Sequence, residues 1–261
     1  MAKIDLVALG SQTAKNGFKN EAAVAQKFID WKKDVDSQKW LIIMGYNLKE
    51  IEKVEAIILH GYKTDVQVQI TIYLKKAISA ENLSVKLVSN PFGFNQVDKR
   101  WVDKYVEMWN IPEKTKETLK LFTGELRPRS NNLRDARRTF LNEMNEERRS
   151  DLINFFKAKK ILVVSDILKG RGKFSAGWML VVLKKPVKGK VWVLKSINEA
   201  LNIYGNGEVF ITNLGSLRIG KITMQRKGGD GGRETANMLQ FKINPVELFD
   251  DLYADRQSVK N

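Results

Sequence analysis

The stretch Thr64-Asp65-Val66-Gln67-Val68-Gln69-Ile70-Thr71-Ile72 alternates apolar and polar side chains. A period of two is that of a half-buried strand, with Val66, Val68, Ile70 and Ile72 on one face and Asp65, Gln67, Gln69 and Thr71 on the other. Leu83, Val85 and Leu87 repeat the pattern and predict a second strand, whose opposite face carries Ser84 and Lys86.

Outward from these strands the period changes. Val24, Phe28, Trp31 and Val35 fall at helical spacing and predict an amphipathic helix capped by Asn20. Val97, Trp101, Tyr105 and Met108 predict a further helix ending before Pro112. Residues 152–156 read as helix, and residues 161–164, 178–183 and 191–194 as strands. Ser196 is placed to cap a short helix ending at Gly205, Asn206-Gly207 marks a turn, and residues 209–212 and 217–225 read as paired strands. The polar stretch 124–132, with Pro128 and Ser130-Asn131-Asn132, is the expected linker between a domain of residues 1–125 and one of residues 126–261. Strands and helices in alternation predict a mixed α/β architecture.

Composition narrows the chemistry. The 261 residues include 45 Lys and Arg against 30 Asp and Glu, a formal charge of +15 that calls for a polyanionic partner. Nucleic acid fits first, because neutralised phosphates release condensed counterions. No apolar run is long enough to span a bilayer and no basic-then-apolar leader opens the chain, so a soluble, cytoplasmic protein is expected. With 43% hydrophobic residues the chain can bury a sizeable core, which excludes a disordered basic tail. The absence of cysteine removes disulfides, thiol catalysis and thiolate zinc sites, and the lone histidine, His60, reads as a loop or strand-end residue. A catalytic metal is therefore expected to take oxygen ligands, which points to Mg²⁺.

Phosphodiester hydrolysis needs a metal to polarise the phosphate, an activated water and a cation near the developing charge. If the two predicted strands pair, Asp65, Ser84 and Lys86 converge on one cleft, with the Val85 carbonyl as a further ligand. Asp65 is then the metal ligand and Lys86 the group that orients or activates the water. Spacing alone fits a pair of solvated charges on a sheet face better, since short motifs recur by chance.

Longer blocks carry more weight. Gly17-Phe18-Lys19-Asn20-Glu21, Lys86-Leu87-Val88-Ser89-Asn90, Gly93-Phe94-Asn95-Gln96, Gly170-Arg171-Gly172 and the run from Gln225-Arg226-Lys227-Gly228-Gly229-Asp230 through Gly232-Arg233-Glu234-Thr235-Ala236-Asn237-Met238-Leu239-Gln240-Phe241-Lys242 resemble those of HinP-type type II restriction endonucleases, cutters of the palindrome GCGC related to the CCGG cutter MspI. The resemblance implies a PD-(D/E)XK catalytic domain, a mixed sheet flanked by helices, followed by an α/β DNA-recognition domain. It maps the active site onto Thr64, Asp65, Ser84 and Lys86. Ser84 departs from the pattern, which has Gln in the HinP type and Glu or Asp more widely. A hydroxyl is a poorer Mg²⁺ ligand than a carboxylate, so water, the Val85 carbonyl or Glu21 is left to complete the site. Glu21 also fits as a plain first-turn helix residue.

For a GCGC site, Arg226 and Lys227 can donate to guanine, Asp230 can accept from cytosine, and the glycines at 228, 229, 231 and 232 allow close backbone approach. Gln225, Arg226, Lys227, Asp230 and Gln240 are the expected base readers, with Asn237 and Lys242 beside them. The resemblance also implies that Phe94 wedges between bases while Gln96 meets an exposed edge, the alternative being a Phe folded onto the core. Lys15 and Asn16, ahead of the first predicted helix, are candidates for groove or phosphate contacts. The arginines between 127 and 149 are interleaved with Asp and Glu and read as a charged helix with local ion pairs. The expected partners are duplex DNA and, functionally, a cognate methyltransferase, with the enzyme acting as a monomer or weak dimer. A non-cleaving sequence-specific DNA-binding regulator is the alternative that Ser84 leaves open; RNA binding is weaker, because no stacking motif appears.

Overall fold

The computed structural model describes residues 6–59, 68–129, 134–185, 189–229 and 233–249, with the side chains of 6–14 and 185 left aside. It is a mixed α/β fold with two five-stranded sheets and two compact units. One unit comprises residues 10–93, 168–201 and 245–261, the other residues 1–9, 94–167 and 202–244. No helix among the described residues is long and apolar enough to cross a membrane.

The first unit is built on a sheet in the order β1 (Ile51–Ile58), β2 (Val68–Leu74), β3 (Ala77–Val88), β5 (Trp178–Lys185) and β6 (Gly189–Ser196). Its pairs are antiparallel except β3 with β5, which run parallel. The expected alternation holds where it is described: Val68, Ile70 and Ile72 are fully buried, and Gln69 and Thr71 between them are half-buried. They join Leu83, Val85, Leu180, Val182 and Leu194 in one core with Val24, Phe28, Trp31, Trp40 and Leu41 from the two helices α1 (Leu6–Ile29) and α2 (Val35–Ile43).

The helical segment differs from expectation. Asn20 lies inside α1 and is buried beside Glu21, Val24 and Phe28 rather than capping the helix, so Lys15 and Asn16 are also helical. The chain leaves α1 before Trp31. Asp34 accepts the Ser37 N–H at 2.8 Å and starts α2, which puts Val35 on the surface.

The second unit's sheet is antiparallel, in the order β4 (Asn95–Arg100), β10 (Leu239–Ile243), β9 (Ile222–Arg226), β8 (Leu217–Ile219) and β7 (Val209–Ile211). Residues 217–225 therefore form two strands joined at Gly220. The helices of this unit are α3 (Val102–Trp109), α4 (Glu113–Thr123) and α5 (Glu146–Ala158), with most of α6 (Lys160–Leu168) and the end of α7 (Ile197–Gly205). Leu217, Ile219, Ile222, Met224, Leu239, Phe241 and Ile243 are fully buried on the inner face of the sheet. Tyr105 and Trp109 stack at 4.8 Å, and Phe241 meets both edge-on at 5.2 and 5.7 Å.

Two predicted elements change type. Residues 95–100 form β4, and the helix begins only at Val102. Residues 160–168 are helical: Val163, Val164, Ile167 and Leu168 are buried while Ile161 and Leu162 are exposed, a helical period that the β-branched run conceals. Ser196 does cap α7, with Glu199 returning a bond to the Ser196 N–H at 2.9 Å.

The compact units do not divide at residues 125 and 126. A parallel pair needs a long crossover, and between β3 and β5 that crossover holds residues 94–167 of the other unit. Pairing of β4 with β10 draws residue 95 onward into the second sheet.

Candidate active site and nucleic-acid-binding face

Ser84 and Lys86 are adjacent outward steps along β3. Leu83 and Val85 belong to the helix-covered core of the first unit, so Ser84 and Lys86 project from the opposite face, level with Met179 and Val181 of β5. That face is covered as well: Ser84, Met179 and Val181 are at most 1% exposed, and Lys86 only 6%. Lysine is rarely so buried without a purpose that repays its desolvation. The Ser84 hydroxyl is buried without a hydrogen-bond partner among the described residues, which ordinarily costs about 1–3 kcal/mol.

Asn82 extends this polar row by one step and was missed from sequence. Its Oδ1 accepts Gln69 Nε2 at 2.9 Å, and its Nδ2 donates to the carbonyls of Lys173 and Ser175 at 3.4 and 3.2 Å. The Gly177 N–H donates to the Asn82 carbonyl at 2.9 Å. Asn82 thus ties the loop that carries Gly170-Arg171-Gly172 to β3. A polar residue two positions before Ser84, on the same strand face, was the available signal.

Thr64, Asp65, His60 and Asp230 lie outside the described residues. Glu21 is 7% exposed and shares the buried side of α1 with Val24 and Phe28. The orphaned Ser84 oxygen fits a hard, oxygen-seeking cation such as Mg²⁺. Among the described residues no three His, Asp or Glu side chains gather to hold a metal, so the described part of the site supplies no carboxylate cage of its own.

The second sheet carries a different chemistry on its outer face. Register aligns Gln240 with Gln225 of β9 and Lys99 of β4, Lys242 with Thr223 and Gln96, and Thr223 with Arg218 of β8. These residues alternate with the buried apolar ones, so amides and cations share one side with no carboxylate among the described strand residues there. The one acid of β4, Asp98, turns inward opposite Phe241, where Arg100 at 3.0 Å and Tyr105 at 3.2 Å hold it and burial raises its pKa. Lys242 is half-buried with no acidic partner among the described residues, and burial lowers its pKa. Register thus brings Gln96, Gln225, Gln240 and Lys242 together, and adds Lys99, Arg218 and Thr223.

Not every predicted base reader is presented for contact. Gln240 is 3% exposed, and its Nε2 donates to the Arg226 and Lys227 carbonyls at 3.3 Å each. It is a strut beneath the loop. Asn237 Oδ1 accepts Arg226 Nη2 at 2.7 Å and Nε at 3.3 Å, which fixes the direction of that guanidinium. The loop after Arg226 is pinned by Lys227 N–H to the Met238 carbonyl at 2.8 Å and Gly228 N–H to the Ala236 carbonyl at 2.9 Å. Gly228 and Gly229 both have φ of +63°, which favours glycine.

Phe94 is 48% exposed just before β4, not folded into the core, with the Arg218 guanidinium 6.0 Å from its ring. Phe92, in the turn closed by Gly93 N–H to the Asn90 carbonyl at 2.9 Å, is 73% exposed. Lys15 and Asn16 lie on α1 in the other unit, exposed and half-buried respectively.

The family model described as R.HinP1I restriction endonuclease matches residues 44–249. The chain belongs to the R.HinP1I restriction endonuclease family. The matched span contains Ser84, Lys86 and the whole outer face of the second sheet, while Lys15, Asn16 and Glu21 precede it. Family membership makes the protein a nuclease of the type II restriction class. Among solved structures, that of the restriction endonuclease MspI in complex with its cognate DNA is similar in fold, with a TM-score of 0.61, 11% identity, and coverage of 85% of this chain and 87% of that one. Comparison with curated protein sequences gives no match.

Proposed function

We propose that the chain hydrolyses both strands of duplex DNA at the palindrome GCGC, with Mg²⁺ and one PD-(D/E)XK active site per chain built on Asp65, Ser84 and Lys86. The observation that carries the reading is the buried Ser84–Lys86 pair of β3, a hydroxyl without a hydrogen bond among the described residues and an ammonium two residues apart within the matched segment. Asp65 and the Val85 carbonyl would hold the metal, with Ser84 or Glu21 completing the set and Thr64 flanking Asp65. When bound, Mg²⁺ supplies Lewis-acid polarisation of the scissile phosphate. Lys86 holds the attacking water at Nζ, and its burial among Met179 and Val181 limits the water that competes for the same position.

The second sheet supports the reading of DNA. A face of amides and cations without carboxylate suits phosphates and the acceptor-rich edge of guanine. Arg226, Lys227, Gln225 and Asp230 address the bases, Lys242 and Gln96 share the outer face with Gln225, and Gln240 and Asn237 act by positioning. Phe94 wedges between base pairs. The similarity in fold to an enzyme determined with its cognate DNA supports a duplex partner. A cognate methyltransferase protects the same site in the cytoplasm, and the enzyme cuts as a monomer or weak dimer.

Sequencing the ends of a Mg²⁺ digest tests activity, site and cut position together. Cleavage confined to GCGC is expected, and an intact GCGC plasmid across a wide pH and salt range would sink the proposal. Lys86→Ala should abolish cleavage and keep specific binding. A second reading, a DNA-binding protein that does not cut, is favoured only by Ser84 in place of a carboxylate; specific binding by the unaltered chain without nicking would establish it.

A further inference from the structure

The arginines that follow residue 133 do not each have a carboxylate of their own: Arg137 and Arg138 share Asp135. Arg134 is neutralised by Glu143 at 3.0 Å. Arg137 forms a fork with Asp135, Nε at 2.8 Å and Nη2 at 3.1 Å, and adds its backbone N–H at 3.1 Å. Asp135 is thereby committed to Arg137. Arg138 Nε lies 3.5 Å from Asp135 Oδ2, the oxygen that already takes Arg137 Nη2, a long ion pair, and that buried nitrogen has no hydrogen bond among the described residues.

Arg138 is nevertheless held in place. Its guanidinium stacks 3.8 Å from the Phe140 ring, which also receives Arg134 at 4.0 Å. Beside it is Arg226, which donates to the neutral amide of Asn237. The two cations lie close enough that Arg226 depresses the pKa of Arg138, after burial, the larger cause. Gly124, with φ of +88°, lets this cluster close: a Cβ there would meet the Arg137 carbonyl at 2.9 Å, Asn237 Oδ1 at 3.4 Å and Arg138 Cβ at 3.6 Å. Among the described residues one carboxylate, Asp135, therefore serves three guanidiniums, Arg137, Arg138 and Arg226, and the surrounding structure holds the excess positive charge in place. Such uncompensated charge persists where a ligand completes it.

We infer that Arg138 contacts a backbone phosphate of the DNA, next to the base pair that Arg226 addresses, and that this phosphate supplies the negative charge the pair lacks. The inference rests on the proposed DNA-binding function. It divides the labour within one cluster: Arg138 sets register and contributes no sequence preference, and Arg226, aimed by Asn237, reads a base.

The test compares the unaltered chain, Arg138→Gln and Arg138→Lys for binding to a GCGC duplex and a duplex lacking the site. Ca²⁺ replaces Mg²⁺ so that neither is cut, and salt is varied from 50 to 200 mM. Arg138→Gln should weaken binding to both duplexes by a similar factor and flatten the log–log salt slope by about 0.9. Over that range the unaltered chain should then lose roughly 3.5-fold more affinity than the variant. Arg138→Lys keeps the charge and should restore the slope. An unchanged slope in a variant whose melting curve matches the unaltered chain, or a loss confined to the GCGC duplex, would overturn the inference while leaving DNA binding intact. If the unaltered chain binds neither duplex, the proposed function fails and the inference falls with it.

Discussion

Gly124→Ala separates two costs that a glycine at a helix end can conceal. Gly124 ends α4 in the left-handed region with φ of +88°, and its N–H donates to the Lys120 carbonyl at 3.0 Å. An alanine there pays about 1–2 kcal/mol for left-handed backbone, offset by about 0.4–1 kcal/mol because the unfolded chain also loses freedom. The new methyl adds a second cost. It would stand 2.9 Å from the Arg137 carbonyl, a backbone atom that cannot swing away as a side chain does. Overpacking of this kind costs about 1–3 kcal/mol. Gly228→Ala is the matched control, because φ is +63° and nothing lies within 4 Å of its Cβ, so only the backbone cost applies. Both glycines belong to the same compact unit. Gly124→Ala should therefore be the less stable by about 1–3 kcal/mol, a gap of roughly 2–12 °C in melting temperature for a chain of this size. Denaturant and thermal unfolding of the two variants measure the difference directly. DNA affinity gives a second reading, since the Asn237 oxygen that the methyl would touch at 3.4 Å is the acceptor that aims Arg226. Equal destabilisation of the two variants would refute the close-approach reasoning, whatever the absolute values.

Two further outcomes follow from the same surfaces. Asp135 is held down to about 2 from 3.8, chiefly by its hydrogen bond with Arg137. A depressed carboxylate stabilises the fold fully above its unfolded pKa and loses that contribution as pH falls through the folded value. Asp135→Asn should then cost roughly 1 kcal/mol, allowing for solvent screening, in urea unfolding near pH 6, and the gap should close between pH 4 and pH 2; a gap independent of pH would exclude the mechanism. Phe94→Ala removes a half-exposed ring, so stability should stay within about 0.5 kcal/mol. With 2-aminopurine placed in the GCGC site, the fluorescence rise on binding should disappear and cleavage should fall at least about tenfold, about 1.4 kcal/mol in the barrier. Unchanged fluorescence and cleavage would remove the wedge from the mechanism.

Local rules carried the strands and failed where distant pairing decides. The alternation around Val68, Ile70 and Ile72 survives because one side of β2 meets α1 and α2 and the other does not. The run at 161–164 misled because β-branched residues favour strands, whereas burial of Val163, Val164, Ile167 and Leu168 requires a helical period. β4 and β10 are invisible one at a time: each is short, and its identity lies in the register that sets Gln96 opposite Lys242. The domain division escaped for the same reason, since β3 and β5 are neighbours in space across a long crossover that a polar linker cannot announce.

The site divides along the same line. Ser84 and Lys86 are legible together because a two-residue step keeps one strand face, but their burial depends on what covers that face. The run from Gln225 to Lys242 marks a neighbourhood without assigning tasks. Only the fold shows that Gln240 supports the loop from below and that Asn237 aims Arg226. It also separates two arginines that sequence treats alike, Arg137 closed on Asp135 and Arg138 stacked on Phe140 with a buried nitrogen that makes no hydrogen bond among the described residues. Charge interleaving in sequence says that acids are near bases; it cannot say which base is left over. In a chain carrying +15, the leftover cations held in place by packing are the ones with the means to fix a phosphate in register.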